Sequence, residues 1–294
     1  MSKRSVLGLV CLVAATSLAG SSSIAAEPSN HVLFYSAGSG AGCTWRPWVG
    51  IERCYNNFST GWTHITGDGT GQLTFYNASN GKGGIGKIAG AGHFTTSWSG
   101  DGFGAGWTHL TATGTGLVLF YNAATDQGAI WKPWSGFQWR GSGFGAGWTH
   151  LASDGNGEAL FYNASTGAGC TWRVWVGIQK CYTNFSTGWT HITGDGTGQL
   201  TFYNASNGKG GIGKIDGAGH FTTSWSGDGF DTGWTHLAAD GAGLVLFYNA
   251  ATDQGAIWKP WSGFQWKGAG FGHGLGARWT NVAGPLGLGS DHAG

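Results

Sequence analysis

Charged residues are scarce in this chain of 294 residues. Lys and Arg number 15 and Asp and Glu 14, so that only 10% of the residues are charged and the net charge is +1. A chain of this kind has no strong field with which to attract nucleic acid or an anionic membrane. Helical solenoids depend on Ala, Leu, Glu and Lys, and this composition does not fit them either.

Long apolar runs are also lacking. The run from Val6 to about Leu18 follows Lys3 and Arg4 and is too short to span a bilayer. Small residues ending at Ala26 come after it, which is typical of a secretory signal peptide. We therefore predict a signal peptide over residues 1–26, a mature domain over 27–294, an extracellular location and no membrane insertion.

Cysteine is used sparingly, with five in the chain. Cys11 lies within the predicted signal peptide, and four remain: Cys43, Cys54, Cys170 and Cys181. Four cysteines allow three pairings, and no His or further Cys stands beside them at zinc-finger spacing. The two pairs occupy equivalent places in an internal duplication, and export favours oxidation. We predict the local disulfides Cys43–Cys54 and Cys170–Cys181.

Glycine and tryptophan, by contrast, are abundant, at 59 and 18 residues. Much of this excess belongs to a repeat, in which Trp-Thr-His is followed 14 residues after the Trp by Phe-Tyr-Asn. The repeated tryptophans are Trp62, Trp107, Trp148, Trp189 and Trp234, with a weaker copy at Trp279. The six repeats are 41 or 45 residues long, and residues 43 to 163 match those from 170 onward at a shift of 127. Three repeats were thus duplicated to give six.

One repeat predicts four short strands joined by Gly-rich turns, at about 107–111, 117–121, 129–134 and 137–140. The second is apolar on both faces, as in a sheet packed between two others. Four-stranded repeats of this length form β-propellers. We therefore predict an all-β, six-bladed propeller of four-stranded blades, with an open β-solenoid as the alternative.

The ends of the chain predict how this ring closes. His-Val-Leu-Phe-Tyr-Ser, from His31, is a second strand without a first, and Trp-Thr-Asn-Val, from Trp279, is a first strand without a second. If the two pair, one composite blade uses both ends of the chain and removes two exposed sheet edges.

The recurring Gly-Trp-Thr-His and Gly-Asp-Gly-Thr-Gly-Gln-Leu-Thr-Phe-Tyr-Asn resemble FG-GAP or VCBS-type propeller repeats and, more distantly, secreted lectins of the tachylectin-2 type. The resemblance covers nearly all of the mature chain and implies a propeller, but it does not imply one function. Calcium-binding versions of such repeats carry several Asp or Asn ligands in the loop between the first and second strands. Each loop here holds one Asp at most, such as Asp68, which is too few for a hard cation. We expect no metal and no cofactor.

Four repeats carry a Trp-basic-x-Trp motif before a Gly turn. Tryptophan can stack on the apolar face of a sugar, and Lys or Arg can donate hydrogen bonds to hydroxyl groups. The candidate ligand-binding residues are Trp45, Arg46, Trp48, Trp131, Lys132, Trp134, Trp172, Arg173, Trp175, Trp258, Lys259 and Trp261. The alternative is that the indoles pack between blades while the base reaches water.

The five histidines of Trp-Thr-His could form a ring around the axis. Asn281 replaces the sixth, which disfavours a metal site. We expect these histidines to be buried and to make hydrogen bonds that lock the blades.

A secreted, multivalent lectin that binds glycans or glycoproteins on a cell surface or in the extracellular matrix fits these features best. A secreted adhesin or protein-interaction propeller without sugar specificity is the alternative. A glycan-active hydrolase or lyase ranks third, because an enzyme needs unique, differently tuned groups in one cleft. The two halves of this chain are near copies, and we expect no catalytic residues.

Overall fold

The computed structural model describes residues 30–271 and 278–285, and the predicted signal peptide with Cys11 lies outside them. The described residues form β-strands and no helix that could cross a membrane. In chain order the strands are β1 (Val32–Ser36), β2 (Ala41–Arg46), β3 (Gly50–Tyr55), β4 (His64–Gly67), β5 (Gln72–Tyr76), β6 (Gly83–Ala89), β7 (His93–Gly100), β8 (His109–Ala112), β9 (Val118–Asn122), β10 (Gln127–Lys132), β11 (Gly136–Ser142), β12 (His150–Ser153), β13 (Glu158–Asn163), β14 (Ala168–Arg173), β15 (Gly177–Tyr182), β16 (His191–Gly194), β17 (Gln199–Asn204), β18 (Lys209–Ile215), β19 (Phe221–Gly227), β20 (His236–Ala239), β21 (Val245–Asn249), β22 (Gln254–Lys259), β23 (Gly263–Ala269) and β24 (Asn281–Ala283).

These strands form six antiparallel sheets of four, as predicted. From the inside outward, blade I is β24-β1-β2-β3, blade II β4 to β7, blade III β8 to β11, blade IV β12 to β15, blade V β16 to β19 and blade VI β20 to β23. The innermost strands contact one another in turn, and β24 contacts both β20 and β4. The sheets therefore close into a six-bladed propeller, and the open solenoid is wrong.

Blade I is the predicted composite blade. Phe34 of β1 pairs with Val282 of β24, and Tyr35 pairs with Asn281. The Thr280 hydroxyl accepts a hydrogen bond from the backbone N–H of Ala37 at 2.9 Å. The two ends of the chain thus share one sheet.

The strand directions define two ends of the ring. Each blade turns from first to second strand and from third to fourth strand at one end, which we call the upper end. The turns from second to third strand, and the connections to the next blade, lie at the lower end. Trp134 follows a third strand and is therefore at the upper end, whereas Trp189 precedes a first strand and is at the lower end.

The core consists of six apolar clusters, one at each contact between neighbouring blades. The second strands are buried on both faces, as their sequence predicts. Leu119 and Phe120 of β9, for example, are fully buried in two different clusters. Burial of this kind supplies most of the stability of a propeller.

The third strands end earlier than predicted. In blade III, β10 stops at Lys132, and Trp134 lies in the following turn. The backbone N–H of Ser135 donates to the Lys132 carbonyl at 3.1 Å and closes this turn. Pro133 favours it because proline fixes the second position of a β-turn.

The Trp-Thr-His histidines form a belt of hydrogen bonds around the axis. Each Nε2 faces the threonine carbonyl of the next blade at 3.0 or 3.1 Å, and the Asn281 amide donates to the Thr63 carbonyl at 3.1 Å. A carbonyl only accepts, so Nε2 carries the proton, while Nδ1 lies 2.8 Å from the preceding threonine hydroxyl. The predicted hydrogen-bonding role is confirmed, and the bonds join blades to one another. Burial is confirmed for His64 and His191 only, because His109, His150 and His236 are partly exposed.

The loops compared with calcium sites are turns stabilised by their own aspartate. The Asp68 carboxylate accepts hydrogen bonds from the backbone N–H groups of Thr70, at 2.7 Å, and Gln72, at 3.2 Å. Successive turns are also linked, as in Gly157 N–H to the Thr113 carbonyl at 2.7 Å. Within the described ranges no three His, Cys, Asp or Glu side chains are grouped to hold a metal ion.

Both predicted disulfides are present. Cys43 is bonded to Cys54 between β2 and β3, and Cys170 to Cys181 between β14 and β15, with Cα atoms 4.1 Å apart in each. Each bond joins directly opposite residues of a hairpin.

Candidate functional site

The structure separates the two tryptophans of each Trp-basic-x-Trp motif. The first indole of every motif is between 2% and 5% exposed and packs between blades: these are Trp45, Trp131, Trp172 and Trp258. Trp131, for instance, has its ring centroid 5.0 Å from that of Phe103 of the preceding blade. These four side chains therefore take the packing role that the sequence left as the alternative.

The second tryptophan of each motif is on the surface at the upper end. We call these four the upper tryptophans: Trp48, Trp134, Trp175 and Trp261, each 62% exposed. The basic residues between the two indoles differ. Lys132 and Lys259 are exposed, whereas Arg46 pairs with Glu52 at 2.8 Å and Arg173 donates to the Gly217 carbonyl at 2.8 Å. In blades I and IV the two indoles of the motif line one cavity, Trp45 with Trp48 and Trp172 with Trp175. The basic residue between them does not line it.

The duplication makes three kinds of blade contact, each present twice. The kinds differ in the side chain midway along the third strand, which is Cys in blades I and IV, Gly in II and V, and Ala in III and VI. The residues are Cys43, Gly84, Ala129, Cys170, Gly211 and Ala256. The size of the side chain at this position, together with its neighbours, determines how much space remains between two blades.

The contact between blades IV and V contains a pocket of about 300 Å³. Phe185, Phe202, Phe221 and Trp189 provide aromatic walls, and Gly211 leaves room beside the Trp189 indole. A Cβ at Gly211 would lie 3.7 Å from that indole and clash with nothing. The polar members are Tyr182, Asn184, Ser186, Thr223 and Ser226. We call this site the polar pocket.

The Trp189 indole differs from most of its counterparts in its hydrogen bonding. In blades III, IV and VI the indole N–H of the matching tryptophan donates to the carbonyl of the phenylalanine four residues earlier, at 2.5 to 2.8 Å. Trp189 Nε1 donates to no atom of the described residues. Its N–H is thus available to a ligand in the polar pocket.

The cause lies in the residue that follows that phenylalanine. Gly104, Gly145 and Asp231 take φ values of 75°, 81° and 59°, in the left-handed region. Ser186 does not adopt a positive φ, so the Phe185 carbonyl is not turned toward the indole. One step before the phenylalanine, Asn184 stands where these other blades have glycine. The two replacements both free the indole and add polar side chains.

The side chains of Asn184, Ser186, Thr223 and Ser226 are exposed, and the described residues offer none of them a side-chain hydrogen bond. No charged residue lines the pocket. Aromatic walls with a few convergent, unused polar groups are typical of a small-molecule site. Its lack of charge favours a neutral ligand rather than an acidic one.

The same set recurs 127 positions earlier, between blades I and II. Its members are Tyr55, Asn57, Phe58, Ser59, Trp62, Phe75, Gly84, Phe94, Thr96 and Ser99. A Cβ at Gly84 would lie 3.7 Å from the Trp62 indole, which matches Gly211 and Trp189. Trp62 Nε1 likewise has no acceptor among the described residues. From these shared residues and the matching space at Gly84 we infer a second polar pocket, three blades from the first.

A second kind of cavity lies between blades III and IV and between VI and I, with volumes of about 220 and 280 Å³. We call these the aromatic grooves. The first is walled by Trp139 and by Trp175 and has Trp172 and Ile178 at its base. At the third kind of contact Phe137 replaces the isoleucine, and its ring packs 5.9 Å from that of Phe103.

One buried acid at the upper end has a strongly raised pKa. Burial, with the Asp154 carboxylate nearby, raises the pKa of Glu158 to about 7, while Arg173 acts in the opposite direction. This group lies at the start of β13, at the upper end and apart from the polar pockets. Its charge therefore lies away from the polar pockets.

Sequence reasoning missed the polar pockets. The signal was present, however. Asn-Phe-Ser-Thr occurs at Asn57 and Asn184, where the other repeats have Gly-Phe-Gly or Gly-Phe-Asp. Two departures from glycine in a Gly-rich connection are informative, because glycine is otherwise retained there for its left-handed conformation.

Comparison with known proteins shows the fold only. No protein-family profile and no curated protein matches the chain. A nidogen/laminin complex aligns with a TM-score of 0.55 and 12% identity over 86% of this chain and 97% of that one. A β-propeller domain from Myceliophteria thermophila gives 0.52 and 11% over 83% and 87%. A candidate 6-phosphogluconolactonase from Bacteroides uniformis gives 0.53 and 10% over 84% and 82%. The structural similarity supports a propeller fold. The resemblance to FG-GAP or tachylectin-2 repeats rests on sequence motifs alone.

Proposed function

We propose that this protein is a secreted lectin that binds neutral sugars in its two polar pockets. The observation that carries the proposal is the free indole N–H of Trp189, which lies in an aromatic pocket with four unused polar side chains. Pyranose rings present an apolar C–H face and several hydroxyl groups, and this combination complements both features. The two disulfides support export.

Multivalency follows from the duplication. A single pocket of about 300 Å³ accommodates one sugar unit, and one such contact binds weakly. Two pockets on one rigid ring raise the effective affinity for a surface that displays many copies of the sugar, by about 10² to 10⁴. We accordingly propose glycan-coated cell surfaces or extracellular matrix as the target.

We also propose that the protein binds sugars without converting them. The polar pocket contains hydroxyl, amide and indole groups but no carboxylate or histidine, whereas glycoside hydrolysis ordinarily requires a pair of carboxyl groups. Glycans recovered after incubation with the protein should be unchanged in mass.

A glycan array followed by titration tests the proposal. We expect binding to neutral glycans. Replacing Thr96 and Thr223 by Val removes one hydroxyl from each pocket with little change in shape and should weaken binding about 5-fold, the effect of one lost hydrogen bond. In the matched control, Thr95 and Thr222 are replaced by Val. These neighbours are also exposed but lie outside the pocket, so sugar binding should not change.

Two results would contradict the proposal. The folded protein could bind no glycan on a broad array, in which case the adhesin interpretation takes its place. Alternatively, the Thr95 and Thr222 variant could lose as much affinity as the Thr96 and Thr223 variant, which would place the site elsewhere.

A further inference from the structure

The upper tryptophans adopt a backbone conformation that is unfavourable for them. Each is the third residue of a β-turn, with φ between 65° and 67°. Gly or Asn normally takes this position, and a bulky residue there is a genuine outlier. Pro47, Pro133 and Pro260 occupy the preceding position in three of the four turns, as such turns favour.

Packing does not explain why these four residues are tryptophan. Each is 62% exposed, and Trp48 and Trp175 are followed by Val49 and Val176, which are 56% and 66% exposed. The indoles of Trp134 and Trp261 donate to Gln72 and Gln199 at 2.9 and 2.8 Å. These bonds fix the direction of two rings but bury neither. Strain and exposed apolar surface that occur together point to a function.

Unpaired positive charge surrounds the upper tryptophans. Four lysines stand near the ends of third strands at the upper end: Lys87, Lys132, Lys214 and Lys259. All four are exposed, and none pairs with an acid of the described residues. The net charge of +1 conceals this arrangement, because it sums over both ends of the ring.

The acidic groups of the same end are engaged elsewhere. Asp68 and Asp195 are 1% exposed and hold their own turns together. Glu52 pairs with Arg46 at 2.8 Å, and Asp216 pairs with His220 at 3.0 Å. The Asp216 side chain stays 55% exposed, so among the described residues of the upper end four exposed lysines stand against one accessible carboxylate.

We propose that the upper end docks onto an anionic lipid bilayer. Indole rings favour the interface between water and lipid, and lysines near them are attracted to anionic headgroups. Val49 and Val176 offer a polysaccharide nothing to hydrogen-bond. A shallow apolar layer ringed by cations matches a bilayer surface better than it matches an acidic polysaccharide.

The polar pockets stay open in this orientation. Trp189 and Asn184 lie toward the lower end, on the connection that leads from β15 into β16. A docked ring would therefore hold glycans on the side away from the membrane. This bridging rests on the proposed sugar binding, whereas the docking itself does not.

Vesicle co-sedimentation tests the docking with the intact protein. We expect binding to vesicles of phosphatidylcholine with phosphatidylglycerol, weak binding to phosphatidylcholine alone, and a blue shift of tryptophan fluorescence on binding. Glycine relieves the strained turns, so the fourfold variant Trp48→Gly, Trp134→Gly, Trp175→Gly and Trp261→Gly should fold. We expect it to bind anionic vesicles at least 10-fold more weakly.

Charge variants provide matched controls. The double variant Lys132→Gln, Lys259→Gln should bind anionic vesicles more weakly, and its binding should change less with salt concentration. Lys82→Gln with Lys209→Gln removes the same charge from exposed positions in the lower turns and should not. The proposal is overturned if the protein ignores anionic vesicles, if the fourfold glycine variant binds them as well as the original, or if the upper end binds acidic polysaccharide and not vesicles.

Discussion

At the scale of single residues, the histidine belt shows how one side chain per blade joins the whole ring. The sequence predicted buried, hydrogen-bonded histidines because Asn281 replaces the sixth and disfavours a metal. It could not identify the acceptors, since these are threonine carbonyls about 40 residues away, such as that of Thr190 for His150. Only the packing of successive blades brings each pair together.

The belt predicts sensitivity to acid. Burial, with His236 and His150 nearby, lowers the pKa of His191 to about 4 from 6.5. Between these two values the unfolded chain binds the proton more readily, so the free energy of unfolding falls as the pH is lowered from about 6.5 to about 4. His191 alone contributes on the order of 2 to 3 kcal/mol to this fall.

Comparison of the original protein with His191→Asn, by denaturant unfolding at several pH values, isolates this effect. An Asn side chain can donate a hydrogen bond to the next blade's carbonyl, as Asn281 does to Thr63, but it cannot be protonated. The variant should therefore gain stability relative to the original protein as the pH is lowered through this range. Glu158, whose raised pKa acts in the opposite direction, is common to both proteins and cancels. A difference independent of pH would contradict the prediction.

At the scale of the strand and turn, the position at which the third strand ends decides which tryptophan of the motif is buried and which is exposed. In blade III these are Trp131 and Trp134. The sequence predicted the motif but not this division, because a strand drawn to residue 134 would have put both indoles on the sheet. Pro133 and the turn closed by Lys132 instead send Trp134 outward. Turn conformation is set by backbone angles that a hydrophobic pattern does not report.

Two single substitutions in blade III test this division. Trp131→Ala should lower the free energy of unfolding by about 3 to 5 kcal/mol, because it removes a buried indole from an inter-blade cluster. Trp134→Gly should change it by less than about 1 kcal/mol or raise it, because glycine suits a φ of 67°. Equal losses for the two variants, measured by chemical denaturation, would show that the two indoles share one environment.

At the scale of the whole molecule, the repeat length, the duplication and the two incomplete ends predicted the ring and its composite blade. The polar pockets could not be predicted in the same way. They depend on which blade follows which, and on loop conformations set by residues such as Ser186. A periodic pattern indicates what the repeats share, whereas the pockets arise from how the repeats differ.

The composite blade predicts that the ring depends on both ends. Deleting residues 31–36 removes β1, leaves β24 without its partner and exposes an edge of the sheet. We expect the truncated chain to unfold or to form oligomers on size-exclusion chromatography. A monomer with an unchanged melting temperature would show that β1 does not close the ring.

The central claim is that two equivalent pockets between blades bind sugar, and the stoichiometry of binding tests it most directly. Isothermal titration with a neutral glycan chosen from the array should give two equal sites per chain. Gly211→Val places methyl groups beside the Trp189 indole and should leave one site of unchanged affinity, and adding Gly84→Val should leave none, with the melting temperature preserved in both variants. Two sites remaining in the doubly substituted protein would contradict the account.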